Sequence, residues 1–445
     1  MEELLNEIEI KDYSAYKDSK TEWLGEIPEH WGIERGKWLF TKQERPIRLT
    51  DEIITCFRDG QVTLRSNRKT EGFTNALKEH GYQGIRKGDL VIHNMDAFAG
   101  AIGVSDSDGK STPVYSACTS RFDNVDSYYY AYFLRSLAKN RFIESLAKGI
   151  RERSTDFRFN DFGELLLSVP PIIEQTAIAK FLDRKTALIE QAIAIKEKQI
   201  ELLKERRQIL IHKAVTRGLN PNVKMKDSGA EWIGEIPDGW EVKRFGDFFK
   251  LNKGLTITKE NLQDQGIPCI NYGEVHSKYG FEVKPEHNPL KFVSEEYLKT
   301  DKNSLLNFGD FVFADTSEDV EGSGNFSYLN SNVISFAGYH TIIARPTNCL
   351  FSRFLAYEFS SSKYRAQIRS NVKGVKVFSI SQGVLKSTFI WLPDMIEQKL
   401  IVEYLDKTSA KIDNAVLIKK KEIEKLKEYK SSLINSAVTG RIKVC

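Results

Sequence analysis

Cysteine is rare and scattered: five residues, at 56, 118, 269, 349 and 445, with no CxxC pair in 445 positions. An odd, dispersed set excludes a disulfide framework and a cysteine-based zinc site, and it fits the reduced cytoplasm. Long hydrophobic runs are absent. None approaches the roughly 20 residues that a membrane-spanning helix needs, so no membrane partner is expected. The first residues, MEELLNEIEIK, are acidic where a secretory leader is basic and then apolar. Neither sign of charge dominates, with 65 Lys+Arg against 61 Asp+Glu and a net charge of +4. Nucleic-acid binding would therefore have to come from local patches. Hydrophobic residues at 41% and charged residues at 28% are the balance of a globular protein and exclude a disordered tail or a collagen-like rod.

Motifs of catalysis are missing as well. There is no GxxxxGK[ST] loop and hence no case for bound ATP. There is no Gly-rich strand–helix turn followed by an acid, and no Asn-Pro-Pro-aromatic tetrapeptide of an amino-methyltransferase. Pro237-Asp238 with Glu241 and Lys243 superficially matches a PD…ExK nuclease signature, but its acids stand only three apart, too close for two strands to offer them to one metal. The counterpart earlier in the chain, Pro28-Glu29 with Glu34 and Arg35, lacks the lysine. Seven histidines (30, 80, 93, 212, 276, 287 and 340) form no HxxxH or HExxH pair, and His93 and His340 lie in strand-like sequence without matching acids. No catalytic residue and no metal site is expected.

What is present is a repeat. Residues 17–35, KDSKTEWLGEIPEHWGIER, match residues 226–244, KDSGAEWIGEIPDGWEVKR, at eleven of nineteen positions and a constant offset of 209. Residues 170–183, PPIIEQTAIAKFLD, match 393–406, PDMIEQKLIVEYLD, at an offset of 223, and Ala214-Val215-Thr216 match Ala437-Val438-Thr439 at the same offset. Solenoid units run about 20–50 residues, far shorter than these. The chain is two tandem copies of one unit, in which like connectors carry unlike blocks. The divisions are connectors at 1–35 and 218–244, blocks at 36–168 and 245–391, and long helices at 169–217 and 392–445.

The helices have a period. Ile189, Ile193, Lys196, Ile200, Leu203, Arg207, Leu210 and Ala214 recur at alternating steps of four and three, and Ile412, Val416, Lys419, Ile423, Leu426, Lys430, Leu433 and Ala437 do the same. That is a coiled-coil seam with cations at equivalent places in both copies. Glu174 and Glu397 near the starts suit the positive end of the helix dipole, and Gly218 and Gly440 suit the ends. Each block feeds directly into its own helix. An antiparallel pair with a block at each end therefore needs only the short connector, whereas a parallel pair needs a return of about 60 Å.

The blocks read as mixed α and β. Gly88-Asp89 before Leu90–His93 and Gly309-Asp310 before Phe311–Ala314 look like turns leading into buried strands, followed by Gly/Ser/Asp-rich loops. Strands over Val114–Phe122 and Val333–Ala344 and helices over Tyr128–Ala147 and Phe351–Ser370 complete the expectation. Both helices lead to a Lys-Gly-x-basic stretch, Lys148 to Arg151 and Lys373 to Lys376. Phosphates are bound by Lys, Arg and backbone N–H groups, and base edges by Arg, Asn or Gln. The candidate DNA contacts are Arg65, Asn67, Arg68 and Lys69, Lys148, Arg151, Arg153 and Arg158 in the first block, and Lys253, Arg365, Arg369, Lys373 and Lys376 in the second. A coiled-coil scaffold whose blocks bind protein is the competing reading. A steep salt dependence of duplex binding would separate the two.

The doubled E-W-[LI]-G-E-I-P-x-x-W, the P-x-[IM]-I-E-Q-x-x-I-x-x-[FY]-L-D helix starts and the closing Leu433-Ile434-Asn435-Ser436-Ala437-Val438-Thr439-Gly440 resemble the specificity subunit of type I restriction–modification enzymes. The resemblance covers both halves in the family's order. It implies two target-recognition domains separated by two long antiparallel helices, each domain reading one half of a split double-stranded DNA site. It also implies docking of two modification (methyltransferase) subunits, with restriction (nuclease-translocase) subunits joining them. S-adenosylmethionine, ATP and magnesium would act on those partners and none in this chain.

Overall fold

The computed structural model describes residues 12–21, 23–68, 80–146, 156–347, 351–372, 374 and 377–444. The chain divides into two units, residues 1–197 with 420–445, and residues 198–419.

Each unit starts from its connector. Tyr16–Asp18 pairs with Glu26–Pro28 as a short hairpin, and Gly32–Arg35 then pairs antiparallel with Leu166–Val169, the lead-in to the long helix. Unit 2 repeats this at the offsets of the sequence: Met225–Asp227 with Glu235–Pro237, and Glu241–Arg244 with Phe389–Leu392. The second pairing ties the start of each block to its end. Everything between can diverge without disturbing the base, which explains why connectors stayed alike while blocks did not.

The strands of each main sheet include one that is apolar on both faces, Leu90–His93 in unit 1 and Phe311–Ala314 in unit 2, as a central strand covered on both sides must be. In unit 1 they are β1 (Phe40–Gln43), β2 (Leu90–His93), β3 (Ile102–Val104) and β4 (Tyr115–Ser120), in antiparallel order β1-β4-β2-β3. Helix α1 (Ser127–Lys139) follows, its N-terminus capped by Asp126, which accepts from the Tyr128 and Tyr129 N–H groups at 2.8 and 3.3 Å. The long helix α2 spans Ile172–Arg217. Unit 2 has β5 (Phe249–Lys253), β6 (Phe281–Val283), β7 (Phe311–Ala314), β8 (Phe326–Leu329) and β9 (Thr341–Pro346), in order β5-β9-β7-β8-β6 with β6 parallel to β8. Helices α3 (Ser352–Ser360), α4 (Ser362–Arg369) and α5 (Met395–Val438) complete it.

Three expected elements are broken. The helix from Tyr128 stops at Lys139; Arg141 takes a left-handed φ of 60° before a short turn of helix at Phe142–Leu146, and residue 147 lies outside the described residues. The helix over Phe351–Ser370 is two, because Ser361 turns to an extended conformation and its Oγ accepts from Tyr364 N to start α4. The strand over Val333–Ala344 is also two, Ser335–Ala337 in a second sheet and then β9, with His340 at φ 55° between them.

The long helices run 46 and 44 residues. Along α2, Ile189 and Lys196 are buried and Ile193, Ile200, Leu203 and Leu210 half-buried; along α5, Ile412, Ile423 and Leu433 are buried and Val416 and Leu426 half-buried. Their pairing is antiparallel. In unit 1, Lys430 meets Glu190 at 2.5 Å and Lys196 meets Glu422 at 2.7 Å. In unit 2, Arg207 meets Asp413 at 2.9 Å, and Gly218 lies against Glu397. Partner numbers fall as the others rise. The Arg207–Asp413 pair is the Lys430–Glu190 pair moved by the repeat offset, so the cations that interrupt the seam are its cross-links.

The helix ends are closed the same way twice. Gly440, at φ 74°, sits where a Cβ would come within 2.4 Å of the Pro28 ring, and Gly218, at φ 69°, where one would meet the Glu397 carboxylate at 2.7 Å. Tyr129 OH donates to the Val438 carbonyl at 2.8 Å in unit 1, and Trp391 Nε1 to the Val215 carbonyl at 2.5 Å in unit 2. Different aromatics satisfy the same orphan acceptors of a last turn. Among the described residues no helix is long and apolar enough to cross a membrane, and Cys56, Cys118 and Cys269 are buried and unbridged.

Candidate nucleic-acid interface

The Gly-Asp turn fixes where each central strand begins. Gly88 and Gly309 both adopt φ 89°, a conformation that favours glycine. The following aspartates are almost fully buried. Asp89 accepts from Arg86 N at 2.8 Å and from both Nη atoms of Arg45 at 2.5 and 3.1 Å. Asp310 accepts from Asn307 N at 2.8 Å and from Arg345 Nε and Nη2, the latter at 2.6 Å. With its start pinned, the far end of the strand presents a loop at a fixed place.

That loop is met by the same segment in both units. Phe157 N donates to the Asn94 carbonyl at 3.0 Å, and Ile380 N to the Asp315 carbonyl at 2.8 Å. Asn94 and Asp315 each follow directly on their central strand, β2 and β7. Phe157 and Ile380 each follow shortly after a Lys-Gly-x-basic stretch. Lys69, Lys148, Arg151, Arg153, Lys373 and Lys376 themselves lie outside the described residues.

In unit 1, two cavities flank Met95 and Tyr115. One, of about 700 Å³, is lined by Lys42, Asn94, Asp156, Arg158 and Asn160; the other, of about 690 Å³, by Arg58, Arg65, Arg68, His93 and Asp96. Arg65, Arg68 and Arg158, far apart in sequence, thus share one face. Arg65 opens a single 3-10 turn, not an open loop, and its Nε donates to Thr55 Oγ1 at 3.3 Å, while Asn67 Nδ2 donates to Thr63 Oγ1 at 3.0 Å. Arg68 is held by Asp59 at 2.6 Å and lies 4.2 Å over the Phe57 ring; the Asp59 hydrogen bond raises its pKa further. Arg58 with Asp96 (2.9 Å) and Arg158 with Asp156 (2.6 Å) are exposed pairs. Such pairs contribute little to stability, so their guanidinium groups are free to exchange partner. Lys42 and Arg58 were not picked out by the sequence, because each is a lone cation without a basic neighbour.

The structure also brings acids to the two strand-end histidines. His93 Nε2 stands 4.0 Å from Asp96, and Asp96 N donates to Nδ1 at 3.1 Å, which places the ring proton on Nε2. Burial, against the pull of Asp96, lowers its pKa. His340 Nδ1 lies 3.2 Å from Asp315. The first pair is three residues apart in sequence, whereas the second is joined across strands and is hidden from sequence spacing.

Unit 2 presents different chemistry at the equivalent place. A cavity of about 780 Å³ is lined by Tyr272, His276, Glu318, Asp319, Glu321 and His340, among others. His276 Nε2 bonds the Thr316 carbonyl at 2.7 Å and Nδ1 accepts from Asn325 Nδ2 at 2.8 Å. Asn325 Oδ1 in turn accepts from Arg365. Arg365 and Arg369 point their Nη2 groups at the Glu321 carbonyl, at 3.1 and 2.5 Å. They support the loop after β7 from behind. Lys253 ends β5 as an exposed residue.

Residues 237–428 match the family model of the type I restriction modification DNA specificity domain. The chain is 27% identical over 323 residues to the type I restriction enzyme MjaVIII specificity subunit of Methanocaldococcus jannaschii, covering 72% of this chain and 71% of that one. It is 25% identical over 457 residues to the putative type I restriction enzyme MjaX specificity subunit of the same organism, covering 98% and 99%. Its fold is similar to a chain solved in work on assembly and conformational transition of the type I R-M system, with a TM-score of 0.69, 16% identity and coverage of 93% and 98%. The HsdS subunit from Thermoanaerobacter tengcongensis follows with a TM-score of 0.52, 16% identity and the same coverage. The mixed α and β fold, the doubled connector, the antiparallel helices and these matches agree: the second half of the chain carries a type I restriction modification DNA specificity domain, and the whole chain is similar in sequence and fold to type I specificity subunits.

Proposed function

We propose that residues 36–168 and 245–391 are target-recognition domains that each read one half of a bipartite DNA site. On this reading the long helices set the gap between the halves and dock two modification subunits, to which restriction subunits add. The methyl donor S-adenosylmethionine, ATP and magnesium act on those partners, in the cytoplasm, and this chain contributes sequence choice without a catalytic group.

One observation carries the reading. In two blocks that share little sequence, the segment leaving the basic stretch bonds the same position at the tip of the same strand, Asn94 and Asp315. This twofold meeting of the loop with the chain that follows the basic stretch supports a site where phosphate and base edges are contacted together. The cavities beside the loops differ in charge, with arginines from another segment lining the one in unit 1 and the loop's own carboxylates lining the one in unit 2. Arginine suits the acceptor edge of guanine and a carboxylate suits the amino group of cytosine, so unlike half-sites are expected. Docking of a doubled partner is supported by matched exposed apolar residues on the helices. Ile173 and Ile396, one repeat offset apart, are 78% and 74% exposed, and Ile195 and Ile418 are exposed in the same way.

Exchanging residues 36–168 for the block of a relative of different specificity tests this directly. Methylated sites, mapped in cells carrying the hybrid with its modification subunits, should change in one half and keep the other. A change in both halves, or methyl transfer by this chain alone, overturns the reading.

A further inference from the structure

Behind the loop that follows β7, unit 2 contains a second, cationic cavity. It measures about 500 Å³ and is lined by Arg207, Gln208, Ser360, Ser362, Arg365 and Arg369 together with apolar and backbone groups. Among the described residues no carboxylate lines it. Arg207 is neutralised by Asp413 on α5 at 2.9 Å. Arg365 and Arg369, one helical turn apart on α4, are not. Arg365 Nη2 donates to the carbonyls of Glu321 and Ser323 and to Asn325 Oδ1, and Arg369 Nη2 to the Glu321 carbonyl. All of these acceptors are neutral. The Nε–H of each arginine is buried without an acceptor among the described residues. Burial first, then the neighbouring Arg369, bring the pKa of Arg365 down to about 10, and Asp319 offsets only part of that. Two half-buried guanidinium groups side by side, each with a buried Nε–H and no counter-charge, are costly, and the cost falls when an anion joins them.

We propose that this cavity binds an oxyanion of the phosphate class, held by Arg365 and Arg369 with Gln208 as a neutral donor. The planar guanidinium fork matches phosphate oxygens in pairs. The amide on α2 adds N–H donors without adding charge. The Ser360 and Ser362 hydroxyls at the break between α3 and α4 bond the Tyr357 carbonyl and His212 Nδ1 and complete a rim that is free of carboxylates among the described residues. The phosphate can come from a DNA backbone passing the loop or from a free phosphate in solution. Both satisfy the same groups, and the site does not depend on the DNA reading.

The full chain is melted in inorganic phosphate and in chloride at equal ionic strength, as wild type and as Gln208→Glu. Gln208 is an exposed residue on α2, so the substitution spares the core while offering the arginines an internal carboxylate. If the site takes free phosphate, wild type melts higher in phosphate than in chloride and Gln208→Glu does not. If it takes a backbone phosphate only, neither protein responds to free phosphate. Duplex binding by the chain with its modification subunits then loses about one phosphate's worth of salt slope in Gln208→Glu. Equal stabilisation of both proteins by phosphate overturns the proposal, and so does no stabilisation with an unchanged slope. In that last case wild-type duplex binding still leaves the DNA reading standing, so the two failures are distinct.

Discussion

Asp310 shows how much one side chain carries in this fold. Its carboxylate is almost fully buried, accepts from Asn307 N, and takes Arg345 through two nitrogens. Removing one member of such a pair leaves the other desolvated, at about 3 kcal/mol. Asp310→Asn should lower the stability of unit 2 by about that amount in urea unfolding, whereas Asp264→Asn, at an exposed pair with Lys291, should be nearly silent. Equal effects would show that the turn is not held by this pair. The equivalent glutamates at the helix starts differ in a way that pH reveals. Burial opposes ionisation of Glu174, but hydrogen bonds from Trp31, His30 and Tyr13 outweigh it and hold the carboxyl below its usual range. Burial also opposes ionisation of Glu397, which has Trp240 as donor and Asp394 nearby, and its pKa is raised. Glu174 therefore adds stability that is present above the unfolded-state carboxylate pKa and is lost as pH falls through its depressed value. Glu397 adds stability that is present below the unfolded value and is lost as pH rises through its raised one. Hydrogen exchange over an acid pH series should show Glu174→Gln removing a rise of stability with pH in unit 1, and Glu397→Gln removing a fall in unit 2. The same sign in both would refute the assignment.

At the scale of elements, legibility followed repetition. The long helices, their stops at Gly218 and Gly440 and their seam could be read because the four-three spacing occurs twice at one offset. The Gly-Asp strands were readable because a positive φ followed by an apolar run leaves few alternatives. The breaks at Arg141, Ser361 and His340 were not, since each is a local backbone choice inside a periodic stretch; Ser361, a helix-capping residue type, was the one available signal. The basic face of unit 1 was half legible. Clusters such as Arg65 to Lys69 stand out in sequence, whereas Lys42 and Arg58 join them only through the sheet. Arg365 and Arg369 were visible as cations, but their inward direction depends on a loop more than forty residues earlier. The seam gives an element-scale test. Lys196, with a side chain 7% exposed, lies against Glu422 at 2.7 Å. Lys196→Ala should cost about 1–3 kcal/mol, because the buried lysine stem leaves a gap in the seam and the partly desolvated Glu422 carboxylate loses a charged partner. The double change Lys196→Met with Glu422→Leu should regain that loss in thermal melting. Failure of the double variant to recover would mean that the pair, and not the packing of the seam, holds the helices in register.

At the scale of the whole molecule, duplication separates two tasks. The base of each block, where connector and helix lead-in pair, repeats almost residue for residue, so any block built on it inherits the same exit into the long helix. On the proposed function, sequence choice changes by exchange of a block while the helices keep the gap. That last role can be tested on the helices themselves. The units divide at Glu197 and Lys198, within α2. Four residues added between Glu197 and Lys204 insert one turn plus about 40° of phase and about 6 Å of length. A coiled coil absorbs a four-residue stutter by local unwinding, so the pairing should survive. DNA advances about 3.4 Å per base pair. The two half-sequences read from methylated genomes should therefore stay the same while the unread gap grows by one or two base pairs. Two residues added at the same place rotate the following seam by about 200° and should abolish assembly with the modification subunits. An unchanged gap in the four-residue variant would show that the spacing is set elsewhere, by the modification subunits or by the bend of the DNA, and that the paired helices only hold the copies together.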